Sequence, residues 1–141
     1  MCIGCGEEQW LSKIEVRKEL TDEWDRGGIQ GQQYASLTDI ITKTWSDMTT
    51  RQYKQHKGLR KENLRDNMTN LELALNTLAE ASATEISKQK KPKGFNQNAQ
   101  VAKAGGRAAK AARTQIEKEL GRSVISSAKA ADHLLPGKNG K

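Results

Sequence analysis

The chain has 141 residues, 35% of them hydrophobic, and a formal net charge of +7, which suits one modest core. No apolar run approaches the roughly 18 residues that a membrane helix needs. Met1–Trp10 lacks the basic and apolar regions of a secretory signal, so a cytoplasmic protein is expected.

The charge is uneven. Residues 1–85 carry 11 Lys/Arg against 14 Asp/Glu, and residues 86–141 carry 13 against 3. An excess of that kind points to a polyanionic partner, nucleic acid being the commonest, with a solvated lysine-rich tail as the plain alternative. Cys2 and Cys5 form a single C-x-x-C. Zinc needs two further ligands, and His56 and His133 stand alone, while a redox site needs a βαβ context that no strand pattern supports. Residues 1–11 are therefore read as a disordered leader, and no metal or cofactor is expected.

Ser12 with Glu15 reads as a capping box opening a helix over 13–26. Ile14, Arg17, Leu20 and Trp24 follow at helical spacing, and Gly27-Gly28 ends the run. Residues 29–35, rich in Gly and Gln, read as a loop. Ser36 and Asp39 repeat the cap pattern before a helix over 37–48, whose apolar face is Leu37, Ile40, Ile41, Trp45 and Met48.

Thr50 is placed to cap a short basic helix carrying Arg51, Tyr53, Lys54 and Lys57. If that helix ran through Gly58, Arg51, Lys54, Lys61 and Arg65 would share an arc of about 80°. A bend at Gly58 is as plausible, since glycine costs about 1 kcal/mol in a helix interior. Leu59, Leu64 and Met68 supply a buried side. Thr69 and Glu72 form another capping box, opening the best helix of the chain, about 70–90. Its apolar stripe is Leu71, Leu75, Leu78, Ser82 and Ile86, and its alanines suit close helix packing.

The lysines of 88–93 surround Pro92, which stops that helix, and residues 91–97 read as a basic hinge between 12–90 and a basic helical segment, 98–135. In the latter, Lys103, Arg107 and Lys110 fall within about 60°, with Arg113 further round and Val101, Ala108, Ala112 and Ile116 opposite. From Ile86 to Ile116 there is no acid, and such a basic face can neutralise several phosphates along one line. Gly105-Gly106 reads as a bend, a close packing contact or the start of a second helix, and not as a P-loop. Ser123 opens an expected last helix over 123–134, and residues 136–141 read as a disordered tail. The fold class expected is all-α, with about five to six helices and no sheet.

No catalytic constellation is visible. His56 has no orienting carboxylate in its neighbourhood of sequence, Asp22, Glu23 and Asp25 read as a solvated face, and Tyr34 and Tyr53 are weak candidates for base stacking. Thirteen cations are the candidate nucleic-acid contacts: Arg51, Lys54, Lys57, Lys61, Arg65, Lys88, Lys90, Lys91, Lys93, Lys103, Arg107, Lys110 and Arg113.

One resemblance adds to this reading. H-K-G-L-R-K at 56–61, D-N-M at 66–68 and N-L-E-L-A-L-N at 70–76 resemble, in order and spacing, the C-terminal region of the DNA-damage-inducible protein D family and its phage antirepressor-like relatives. So does N-x-x-V-A-x-x-G-G-x-x-A-x-x-A-R-x-x-I-E-x-x-L-G at 98–121. The family's full-length members carry an N-terminal Bro-N-type domain, so the resemblance implies a C-terminal module. It implies a bacterial, nucleoid-associated protein of the SOS response that acts on RecA–DNA filaments by binding, without turnover. The partners expected are single-stranded DNA or a recombinase filament, with no membrane and no small-molecule substrate. The alternative is an antirepressor-like interaction or homo-oligomerisation module that sequesters a regulatory protein.

Overall fold

The computed structural model describes residues 5–127, with side chains described from residue 15 onward. Within them the protein is all-α. Five helices follow one another: α1 (Cys5–Arg26), α2 (Gln33–Ser46), α3 (Thr50–His56), α4 (Asn70–Lys90) and α5 (Gly94–Leu120), with a single 3-10 turn at Arg65–Asn67. No helix among the described residues is long and apolar enough to cross a membrane.

Three expected boundaries move. The chain is helical from Cys5 onward, so Ser12 lies inside α1 and is no N-cap. Gly6 apart, the residues from Glu7 to Leu11 are acceptable or good helix formers, and acids near a helix start suit its dipole. The leader expected over 1–11 is therefore overturned for residues 5–11; residues 1–4 lie outside the described residues. The helix start expected at Ser36 moves to Gln33, because Ser36 N already bonds Gln32 O at 3.1 Å. Thr49, not Thr50, caps α3, in a reciprocal capping box with Gln52.

Gly58 resolves the choice left open at α3. The helix stops at His56 and Gly58 takes φ +73°, a left-handed conformation that glycine adopts without steric cost. Arg51, Lys54, Lys61 and Arg65 therefore do not share one helical face. The box at Thr69–Glu72 forms as expected, and α4 spans 70–90.

α4 and α5 form the central pair, with α1 against α4 and α2 against α5. Only residues 91–93 join the pair. Lys91 turns the chain at φ 48°, Pro92 is buried, and Gly94 N bonds Gly27 O at 2.8 Å, tying the connection to the end of α1. The stretch read as a hinge is a tight turn followed by the first turn of α5. The Gly pair does not interrupt α5. A Cβ on Gly105 would lie 2.6 Å from Ala79 O and 2.7 Å from Ala83 Cβ; one on Gly106 would lie 2.5 Å from Thr44 Cβ. The pair is where α5 meets α4 on one side and α2 on the other.

The core is filled by Leu20 and Trp24 of α1, Leu37, Ile41 and Trp45 of α2, Tyr53 of α3, and alanines of the central pair. The two tryptophans are essentially excluded from solvent, and side chains of that size dominate the apolar area a small core removes from water. The inward face of α4 differs from the stripe read from the sequence. Leu78 is 41% exposed, and the buried positions include Glu72, Asn76, Glu80 and Thr84. On α5 the expected face holds at Val101, Ala112 and Ile116, but Ala108 is exposed and Ala109 buried in its place. Beyond Gly121 the described chain, residues 122–127, is irregular. The expected helix over 123–134 is absent from those positions, where Glu117 accepts Val124 N at 2.8 Å and Glu72 accepts Ser126 N at 3.0 Å. Its remainder, and the 136–141 tail, lie outside the described residues.

Candidate nucleic-acid interface

A buried polar residue on α4 is tolerable only with a partner, and the partners come from the elements read as basic contact surface. Glu72, fully buried, accepts from Lys57 Nζ at 2.8 Å, from the Tyr53 hydroxyl and from Ser126 N. Burial alone would raise the Glu72 carboxyl; the bonds from Lys57, Tyr53, Ser126 and Thr69 more than offset it and hold it below its ordinary value. The Tyr53 hydroxyl is pushed well above its ordinary range, by burial first and by Glu72 second. Asn76 Oδ1 accepts from Trp45 Nε1 at 3.2 Å.

Glu80 takes two guanidiniums. Arg65 donates through Nη1 and Nη2 at 2.9 and 2.7 Å, and Arg17 through Nη1 at 3.0 Å. Burial lowers the Arg17 guanidinium, against the opposing attraction of Glu80 and with the repulsion of Arg65. For Arg65 burial acts in the same direction, but its bonds to Glu80 overcome it and the net shift is upward.

These contacts divide the thirteen candidate cations. Lys57 has a side chain fully excluded from solvent and paired to Glu72, so it is no phosphate contact. Arg65 is committed to Glu80 in a bidentate pair, the arrangement guanidinium and carboxylate favour. Arg113 bonds Glu117, Asp47 and Trp45 O, and is only 12% exposed. Lys110 pairs with Asp47 as well. Lys88 lies 3.7 Å from both Glu19 and Glu85, exposed pairs worth at most about 1 kcal/mol. The line of charge expected along α5 is thus broken: its Lys110–Arg113 end is turned onto α2.

The remaining cations have no ion pair among the described residues. Lys90, Lys103 and Arg107 line one groove of about 310 Å³ between α4 and α5, floored by Ile86, Val101 and Ala104. Lys91 and Lys93 are exposed on the adjoining turn, and Lys61 is exposed on the loop after α3. Arg51 and Lys54 fall elsewhere, in a cleft among α1, α2 and α3 whose walls also hold Arg17 and Arg60. Neither Arg17 nor Arg60 is among the thirteen. Arg17 was hidden by its place on an amphipathic stripe, and Arg60 by the absence of any periodicity in 58–64.

His56 is exposed at the end of α3. Among the described residues no three His, Cys, Asp or Glu side chains are grouped to hold a metal ion. No protein-family model, no curated protein and no solved structure matches the chain.

Proposed function

We propose that the protein is a non-enzymatic module that binds single-stranded DNA or a nucleoprotein filament, through the groove bounded by Lys90, Lys103 and Arg107. The observation that carries this reading is the sorting of the cations. Where the fold needs positive charge inside, it pairs each cation with Glu72, Glu80, Asp47 or Glu117, and it leaves these three on one surface with no ion pair among the described residues. Lys91 and Lys93 extend that surface along the turn. A groove with an apolar floor and basic walls suits a backbone tracked by charge with bases laid against the floor.

The resemblance of 56–76 and 98–121 to the damage-inducible protein D family supports a more specific version: a module of the SOS response, nucleoid-associated, that modulates RecA filaments by binding without turnover. The experiment is a fluorescence-anisotropy titration of a labelled single strand, with and without recombinase, using the wild-type chain and a Lys90→Glu/Lys103→Glu/Arg107→Glu variant. Wild type is expected to bind and the variant to lose at least about tenfold in affinity at low salt, since each lost phosphate contact removes part of the counterion-release term. Undiminished binding by the variant would sink the groove as the contact. An indifference of the strand titration to added recombinase would remove the filament version.

A further inference from the structure

The cleft among α1, α2 and α3 has no part in the reading above. Its outer chamber, about 700 Å³, is walled by Arg17, Tyr34, Asp39, Arg51, Lys54 and Arg60. An inner chamber of about 170 Å³ adjoins it, sharing Thr38, Thr50 and Lys54 and adding Thr42, Arg65 and Asn76. Together they hold five cations. Glu80 ties down Arg17 and Arg65, Asp39 lies on the wall, Glu62 accepts from Arg60 N at 2.8 Å and the charge of Asp66 acts on Arg65, so the five cations face four carboxylates.

We propose that this cleft binds a phosphomonoester: the phosphate of a nucleoside 5′-monophosphate, or the 5′-phosphate that ends a strand. Three features select that chemistry. A phosphomonoester carries close to two negative charges at neutral pH and three strong acceptor oxygens, more than a carboxylate or a single phosphodiester offers to Arg51, Lys54 and Arg60 on the wall. The inner chamber supplies neutral donors besides its cations. Asn76, 4% exposed, spends its Oδ1 on Trp45, and its amide NH2 has no hydrogen bond among the described residues. The hydroxyls of Thr42 and Thr50 line the same chamber. Finally, the inner chamber is small, about 170 Å³, with buried Thr42, Leu64 and Asn76 in its lining, a size that suits the end of a ligand.

The site is also held in place before any ligand arrives. Arg17 donates to Thr38 Oγ1 at 2.8 Å as well as to Glu80, and its guanidinium stacks 5.4 Å from the Trp24 ring. The Tyr34 ring packs edge-on against Trp24, with centroids 5.9 Å apart, and offers the outer chamber a wall for a base. Immobilised donors lower the ordering cost of binding. Arg51, Lys54 and Arg60 have no ion pair among the described residues and remain for the ligand.

The test is isothermal titration calorimetry on the full chain with adenosine 5′-monophosphate and with adenosine, alongside short oligothymidines bearing a 5′-phosphate or a 5′-hydroxyl. At least one phosphorylated ligand is expected to bind about tenfold or more tightly than its unphosphorylated counterpart, as one or two charge-assisted bonds would give. Binding of the mononucleotide identifies a free nucleotide as ligand; a preference confined to the oligonucleotide identifies a strand end. Lys54→Ala/Arg60→Ala is expected to abolish the preference, and Arg51→Ala to weaken it, whereas Lys118→Ala at the far end of α5 leaves it intact. These side chains are at least partly exposed, so the folded state, checked by circular dichroism, is expected to survive. Equal binding of phosphorylated and unphosphorylated ligands, or a preference that persists in the double variant, overturns the proposal.

Discussion

The Lys57 ammonium and the Glu72 carboxylate face each other at 2.8 Å with both side chains fully shut off from water. Removing one partner of such a pair leaves an uncompensated buried charge, which typically costs about 3–5 kcal/mol. Lys57→Met is therefore expected to lower unfolding free energy by about that amount in urea titration. Lys57→Met/Glu72→Leu should recover only part of it, because the Tyr53 hydroxyl and Ser126 N lose their acceptor. The same carboxylate sets a pH dependence. Its folded value lies below the ordinary 4.5, so its contribution is complete above the unfolded value and is lost as pH falls through the folded one. Glu23, lowered chiefly by its bond from Arg26, and Glu117, lowered by Arg113 and Val124 N against the effect of burial, act with the same sign. Thermal midpoints are expected to decline as pH drops below about 4.5. Glu72→Gln should make that decline shallower without removing it; an unchanged acid limb would show that Glu72 is not ionised in the fold.

Between helices, the contact that sets spacing is the Gly pair of α5. A methyl on Gly105 meets Ala79 O and the backbone N of Ala83, and one on Gly106 meets Thr44; helix backbone cannot yield as the end of a flexible side chain can. Overpacking of this kind costs about 1–3 kcal/mol, against a gain of about 1 kcal/mol in helix propensity for Ala over Gly. Gly105→Ala is expected to be destabilising on balance, by up to about 2 kcal/mol in chemical denaturation; a stabilised variant would mean that α4 and α5 are not in close contact there. The sequence showed the pair but left its role open, since a bend and a close contact are written with the same residues. Local signals were legible. The Thr69–Glu72 box depends on a few neighbouring residues and formed as expected, and the stop at Gly58 is one of the two outcomes its neighbours allowed. The inward face of α4 was not legible. Glu72, Asn76 and Glu80 are polar letters at helical spacing, and only their partners on α1, α2, α3 and the 57–65 stretch turn that line inward. The same misreading enlarged the candidate interface. Lys57 and Arg65 looked like surface charge because nothing in the sequence placed Glu72 and Glu80 inside.

For the whole molecule, the question is how much of the +7 charge is offered to a partner. Counting cations by sequence overestimates it, because the fold consumes Lys57, Arg65, Lys110 and Arg113 internally. The groove between α4 and α5 and the cleft among α1, α2 and α3 also share no lining residue, so the contact expected for a single short strand is the groove alone. This has a measurable consequence. For single strands log Kobs falls with log salt at a slope of about −0.7 for each phosphate neutralised. All thirteen candidates acting together would give a slope of about −9, whereas Lys90, Lys103 and Arg107 alone give about −2. The expected slope for a short oligonucleotide is therefore near −2, rising toward −3 or −4 if Lys91 and Lys93 join. Lys103→Ala should make it shallower by about 0.7, and Lys110→Ala should leave it unchanged because that ammonium already serves Asp47. A slope as steep as the full set demands would mean that the internal pairs open on binding. A flat slope would mean that the groove does not bind by charge, and with it the nucleic-acid reading would fall.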